Sequence, residues 1–271
     1  MSVQEIEQLA EAVRALRGLF YLPLDPLALA RSEGIYLAPG CYDGCFDGRL
    51  ELRRKNGRSR FYLFYAQEDS PRRPPSRVRF SIAHELAHFY LPEHRRYLLS
   101  GYWQGRRCQL LSDRRLEREA DLFAAALLMP RRRFLEEVSL RQEYPWRLQE
   151  LTRLADRVFY TSLTSTAIRY AQLDCQPCCV VLSEGGHVRF SIPSARLRSH
   201  GIDGIRRGAP VPADSVTGHL LAAPLRRGCR QGEGAVSGDV WFAGSQPLSL
   251  WEEAKILGRT GRVLTLLVLN E

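Results

Sequence analysis

Apolar side chains recur every three or four positions at the start of the chain, at Ile6, Leu9, Val13 and Leu16. That spacing predicts an amphipathic helix over residues 4–17, and Leu27, Leu29 and Ala30 predict a short second helix over 26–33. IYLAP then reads as a strand. RLELRRKNGRSRFYLFYA holds two apolar-rich runs around Asn56-Gly57. This predicts a hairpin, because a two-residue turn needs residues that tolerate positive φ. QEDSPRRPPSR is a polar, proline-rich loop. FSIAHELAHFY predicts a helix ended by Pro92, and SGYWQGRRCQLL is irregular. A long helix runs from Ser112 or Asp113 to Met129 and is stopped by Pro130, whose ring cannot continue it. RRRFLEEV predicts another helix. LQELTRLADRVF and LTSTAIRYAQL are two helices joined at YTS, a helix-turn-helix in outline. Past about residue 175 the texture turns to strands. CCVVLSEGGHVRFSI predicts a hairpin about Gly185-Gly186, with VWFAG and RVLTLLVL as further strands. No internal repeat is visible.

The expected class is therefore α+β. A small sheet with helices comes first, over 1–140. A helix-turn-helix-like segment follows over 141–175, then a smaller, mixed α/β, strand-rich domain over 176–271. Composition changes little in this picture. With 45% hydrophobic and 25% charged residues the chain is an ordinary globular one. No apolar run approaches the roughly 20 residues of a membrane helix. The first segment carries acids and alternates polar with apolar residues, unlike a signal peptide, so a cytoplasmic location without membrane contact is expected. Seven cysteines, an odd count, do not look like a disulfide framework. CYDGC and CQPCC lack the second C-x-x-C that would complete a four-cysteine site, so they read as idle or buried thiols. The net charge is +9 and almost wholly arginine, since Lys55 and Lys255 are the only lysines. A basic balance permits weak nucleic-acid contact but specifies none.

Candidate chemistry enters at His84, Glu85 and His88, in the order H-E-x-x-H. Residues i and i+4 share a helix face, so both imidazoles can aim a nitrogen at one metal ion. Glu85, one step round, flanks that point and can act as a general base. The helix flanks are apolar, and two histidines with a glutamate on a buried helix need partners.

Two residues compete for the third ligand. His94 completes H-E-x-x-H-x-x-x-x-x-H, the metzincin spacing. Metzincins, however, have glycine at the bend where this chain has Leu91, and Pro92 restricts Leu91 to extended conformations. Glu117 lies on the next long helix, four residues before Asp121. It fits the pattern of two histidines and a glutamate in thermolysin-like zinc sites. Asp121 then fits an acid that holds a ligand histidine by its far nitrogen. Glu119 is expected on a different, solvated face.

FSIAHELAHF followed by EREADLFAAALLMP resembles the ImmA/IrrE family of bacterial metallopeptidase-like proteins, most clearly over residues 35–131. The resemblance implies a zincin-like metallopeptidase domain. It implies zinc, or manganese in the active form, on His84, His88 and Glu117, with Glu85 as general base and Asp121 behind a ligand histidine. It implies a helix-turn-helix repressor of the Xre type as substrate, cleaved to relieve repression in a stress or DNA-damage response or for a mobile element. IrrE-like members follow the peptidase with a helix-turn-helix-like segment and a sensor-like domain resembling GAF, and the strand-rich region sits in the matching place.

Several further roles are open at this stage. Tyr90, His94 and Tyr170 are of the right type to donate to an oxyanion. FYLFYA either presents an edge to an extended substrate or lies covered. Cys108, between the metal helices, could block an open metal position until oxidised. The competing functions are a DNA-binding regulator using the helix pair, and a metal-sensing module with a non-catalytic peptidase-like fold. The first would rely on Arg153, Arg157, Arg169 and Gln172.

Overall fold

The computed structural model describes residues 1–42, 47–55, 57–66, 75–100, 114–140, 145–223, 230–242, 248–258 and 261–270. Cys45, Asn56, most of the proline-rich loop, Cys108 with its surrounding segment, and the expected helix start at Ser112 or Asp113 lie outside these. The chain divides into two compact units. The first is Met1–Phe134 with Ala155–Ser162, and the second is Leu135–Leu154 with Leu163–Glu271.

The first unit begins with α1 (Val3–Leu16). Ser2 and Glu5 form a reciprocal capping box that satisfies backbone donors the helix start would leave orphaned. Its face of Ile6, Ala10 and Val13 is buried, and α1 packs on α5 (Arg114–Leu128). Asp25 caps α2 (Pro26–Ser32), with Pro26 in the first turn. The sheet holds β1 (Tyr36–Gly40), β2 (Gly48–Lys55) and β3 (Arg58–Ala66) in the order β1-β3-β2, with β1 parallel and β2 antiparallel to β3. Lys55 pairs with Arg58 across the turn and Gly57 has φ +73°, as the hairpin expectation required. β3, which contains FYLFYA, is the central strand. It is covered on both sides, and β1 and β2 form the edges.

α3 (Pro75–Tyr90) carries H-E-x-x-H and packs on α5, β2 and β3. Its Ala83 and Ala87, and Ala120 and Ala124 of α5, are fully buried. Small side chains at i and i+4 on both partners allow the close approach of two helices. The chain leaves α3 at Leu91, extended at ψ 121°, and re-enters a helix at once as α4 (Pro92–Leu99). This break places His94 in the first turn of α4.

α6 (Arg131–Ser139) and α7 (Leu148–Leu154) follow, then a π-helical turn at Ala155–Phe159 and α8 (Leu163–Gln172). The second unit is built on an antiparallel sheet of β4 (Cys178–Glu184), β5 (His187–Pro193), β6 (Gln231–Ser237), β7 (Ser249–Leu257) and β8 (Arg262–Leu269). Their order is β5-β4-β8-β7-β6. Gly185 and Gly186 turn the first hairpin with φ +59° and +76°, values that favour glycine. The expected strand at VWFAG is instead a helical turn at Gly238–Trp241, which directs Trp241 and Phe242 into the core with Leu250 and Leu267. The strands β6 and β7 escaped the sequence reading. β6 is glycine-rich and β7 carries Glu252 and Glu253 on buried positions, so neither shows clean alternation. α9 (Ala195–Ser199) and α10 (Val216–Ala222) complete this unit. Among the described residues no helix is long and apolar enough to cross a membrane.

Candidate metal centre

α3 and α5 bring His84, His88 and Glu117 together, with one ligand atom from each lying within 4.8 Å of the others. His84 Nε2 stands 3.2 Å from His88 Nε2 and 3.2 Å from Glu117 Oε2. His88 Nε2 is 3.9 Å from Glu117 Oε1. Nitrogen and carboxylate donors converging from two helices are what a divalent transition metal takes. Without a cation the arrangement is poor, because three lone-pair bearers face one another across little more than one proton.

The ring of His84 is held from behind by Asp121, whose Oδ1 is 2.9 Å from Nδ1. Burial disfavours a charge on His84, yet the hydrogen bonds to Asp121 and Glu117 outweigh it and hold its pKa at about 10. A metal ion would displace that proton from Nε2. His88 is nearly inaccessible, and burial together with its two histidine neighbours pushes its pKa well down, so it is neutral.

Glu85 turns toward the sheet. The Leu50 N–H of β2 donates to its Oε2 at 2.7 Å. Burial raises the Glu85 pKa against the opposing pull of His84 and of this hydrogen bond. The strand approaches closely here. A Cβ on Gly48 would stand 3.1 Å from Glu85 Cγ and 3.3 Å from the Ser81 carbonyl, so β2 needs glycine at that point.

His94 does not join this group of three. Its Nδ1 lies 2.9 Å from His88 Nδ1, on the ring nitrogen that faces away from His84. Its Nε2 lies 3.3 Å from Glu119 Oε2. The expectation of a solvated Glu119 is overturned, since it is 6% exposed. Its other oxygen takes Arg115 at 3.2 Å and the Met1 amino group at 2.8 Å. The helical pattern carried the signal. Glu119 is three residues after Leu116 and four before Phe123, both buried, and so shares their face.

The oxyanion candidates are placed elsewhere. The Tyr90 hydroxyl donates to Glu33 at 2.6 Å, and Arg17 binds the same carboxylate oxygen. Tyr170 is buried in the second unit, stacked on Trp146 with centroids 5.7 Å apart. Of the side chains that could read bases, Arg169 is 1% exposed, while Arg153, Arg157 and Gln172 are exposed.

A short sheet backed by an H-E-x-x-H helix, with an acid from the following helix turned to the same point, is a zincin-like domain. Residues 70–158 match the family model of the IrrE N-terminal-like domain, and the chain carries that domain. The match begins later than the resemblance over 35–131 and runs on through α6 and α7. No curated protein matches the chain. Among solved structures, a Mycobacterium tuberculosis transcriptional regulator is similar at 17% identity and a TM-score of 0.63, over 98% of this chain and 88% of that one. This likeness is one of fold, and it extends through the strand-rich unit.

Proposed function

We propose that this protein is a metal-dependent endopeptidase that cleaves a helix-turn-helix repressor of the Xre type and so relieves repression. The observation that carries the reading is the convergence of His84 Nε2, His88 Nε2 and the Glu117 carboxylate beside Glu85. The donor set fits zinc, and manganese is the alternative. When bound, such an ion supplies Lewis acidity toward the scissile carbonyl and a water that loses its proton near neutral pH.

The chain's own residues do the rest. His84, His88 and Glu117 hold the ion, and Asp121 fixes the His84 ring through Nδ1. Glu85 is the general base. Leu50 holds its Oε2, so Oε1 is the atom that takes the proton of the attacking water and delivers it to the leaving amine. Its raised pKa suits both halves of that transfer near neutrality. The described residues include no side chain assigned to the oxyanion.

The regulatory setting is supported by the IrrE N-terminal-like domain and by a structural neighbour that is a transcriptional regulator. The strand-rich unit is read as a sensor-like regulatory domain on the same resemblance, and the cytoplasm as the place of action. A DNA-binding regulator is the alternative, but the helix pair has Arg169 buried and offers base edges little beyond Gln172.

The test uses the repressor encoded beside this gene. It is incubated with zinc- or manganese-loaded protein and with the Glu85→Gln variant, and the products are read by intact mass. A single cut made by the wild type alone is expected. No cut with either metal, despite stoichiometric binding of the repressor, would move the function to a sensor or adaptor.

A further inference from the structure

Behind His88 stand two buried polar side chains that the metal centre does not use. His94, from α4, is 1% exposed and Glu119, from α5, is 6% exposed. An imidazole and a carboxylate are rarely withdrawn from water without specific partners. Their contacts form one file: His88 Nδ1 to His94 Nδ1 at 2.9 Å, then His94 Nε2 to Glu119 Oε2 at 3.3 Å.

The direction of the hydrogen bonds in this file follows from its far end. An ionised carboxylate only accepts, so His94 must carry its proton on Nε2. A neutral imidazole has one N–H, so His94 Nδ1 is then an acceptor. His88 must therefore donate from Nδ1, which leaves the lone pair on His88 Nε2. That is the nitrogen 3.2 Å from His84 Nε2, facing the cluster with Glu117. With Glu119 absent or turned into a donor, the file could run the other way and put a proton on Nε2, where no metal could bind.

We propose that Glu119, acting through His94, is a positioning residue that fixes the tautomer of His88 and presents its Nε2 lone pair to a metal ion. Arg115 supports the arrangement mechanically. It binds Glu93 of α4 through both guanidinium nitrogens, at 2.7 and 3.1 Å, and Glu119 of its own helix at 3.2 Å. The two helices that supply the relay are thereby tied together. Asp121 sets the other histidine directly, whereas His88, deeper in the unit, is set through an intermediary. The inference rests on the metal-centre reading for its purpose but not for its geometry.

The experiment measures both. The full chain has six histidines, few enough to resolve by long-range proton–nitrogen spectra of the ¹⁵N-histidine-labelled, metal-free protein. His88 is expected to carry its proton on Nδ1 with Nε2 bare, and the opposite tautomer would overturn the relay. Zinc affinity is then measured by competition with a chromogenic chelator. His94→Phe is expected to weaken it about 10- to 100-fold, the usual cost of losing the partner behind a ligand. His94→Gln, whose amide oxygen can accept from His88 Nδ1, is expected to recover to within a few-fold. Equal affinity of His94→Phe and wild type would also overturn the relay. If His94→Phe fails to fold, Glu119→Gln serves, since its amide can donate to His94 and reverse the file. A rise in the Nε2-protonated form of His88 is expected, and an unchanged spectrum counts against the relay. A wild-type chain that binds no zinc would remove the metal-centre reading, while the tautomer spectrum would still decide the relay.

Discussion

Each unit buries carboxylates, and they are buried in opposite ways. In the second unit, inaccessible Glu252 of β7 is met wholly by donors. These are the backbone N–H of Val216 at 3.1 Å and of Thr217 at 2.7 Å, the Thr217 hydroxyl at 2.6 Å and Trp241 Nε1 at 2.9 Å. Such a carboxylate staples the start of α10 to the sheet and has nothing left to offer. In the first unit Glu117 faces His84 and His88, groups whose lone pairs turn to the same point. A matched network is structural, while an excess of acceptors around one point calls for a cation. Charge and burial alone do not separate the two cases; the balance of donors and acceptors does.

The largest effect expected from breaking this contrast is at Glu85. Glu85→Gln should lower repressor cleavage by about 10²- to 10⁴-fold, the usual contribution of a general base, while zinc affinity stays near wild type. Gel or mass-spectrometric cleavage rates alongside chelator competition check both halves. Next, Glu252→Ala leaves Val216, Thr217 and Trp241 donors without their acceptor and should destabilise the second unit by about 3 kcal/mol. Urea unfolding followed by Trp fluorescence measures this, and zinc affinity should not change. Glu117→Ala should do the reverse. It should remove tight zinc binding with little loss of stability in the metal-free chain, because it relieves a crowd of acceptors.

Metal removal sharpens the same contrast. Zinc at a hundredfold excess over its Kd stabilises the state that binds it by about 2.7 kcal/mol. Chelation should therefore speed amide exchange in α3 and α5 and leave β4 and β8 unchanged. The smallest effect concerns Glu253, whose pKa burial raises against the donors of Leu148 and Arg147. A carboxylate raised on folding contributes stability below its unfolded pKa and loses it as pH rises through the folded value. Glu253→Gln should flatten the stability profile above that unfolded value, which thermal melts across the range would show.

The helices and hairpins were legible because each rests on local chemistry. Examples are the helical spacing of Ile6, Ala10 and Val13, the glycines at 57, 185 and 186, and the prolines at 92 and 130. The pairing of His84 with His88 needed only the period of a helix. β6 and β7 were hidden because glycines in one and buried glutamates in the other erase the alternation that marks a strand. The turn at Gly238–Trp241 was misread because a Val-Trp-Phe run suits a strand until the core claims its aromatic rings.

By itself the sequence determined which residues could carry metal chemistry, since residue types and their spacing along a helix are local facts. Only the tertiary structure decided what each one meets. It turned His94 onto the back of His88, buried Glu119 beside it, gave Tyr90 to Glu33 and set Leu50 against Glu85. Those contacts join residues distant in the chain. They depend on how closely α3, α4, α5 and β2 can pack, a property of the assembled side chains that no single segment contains.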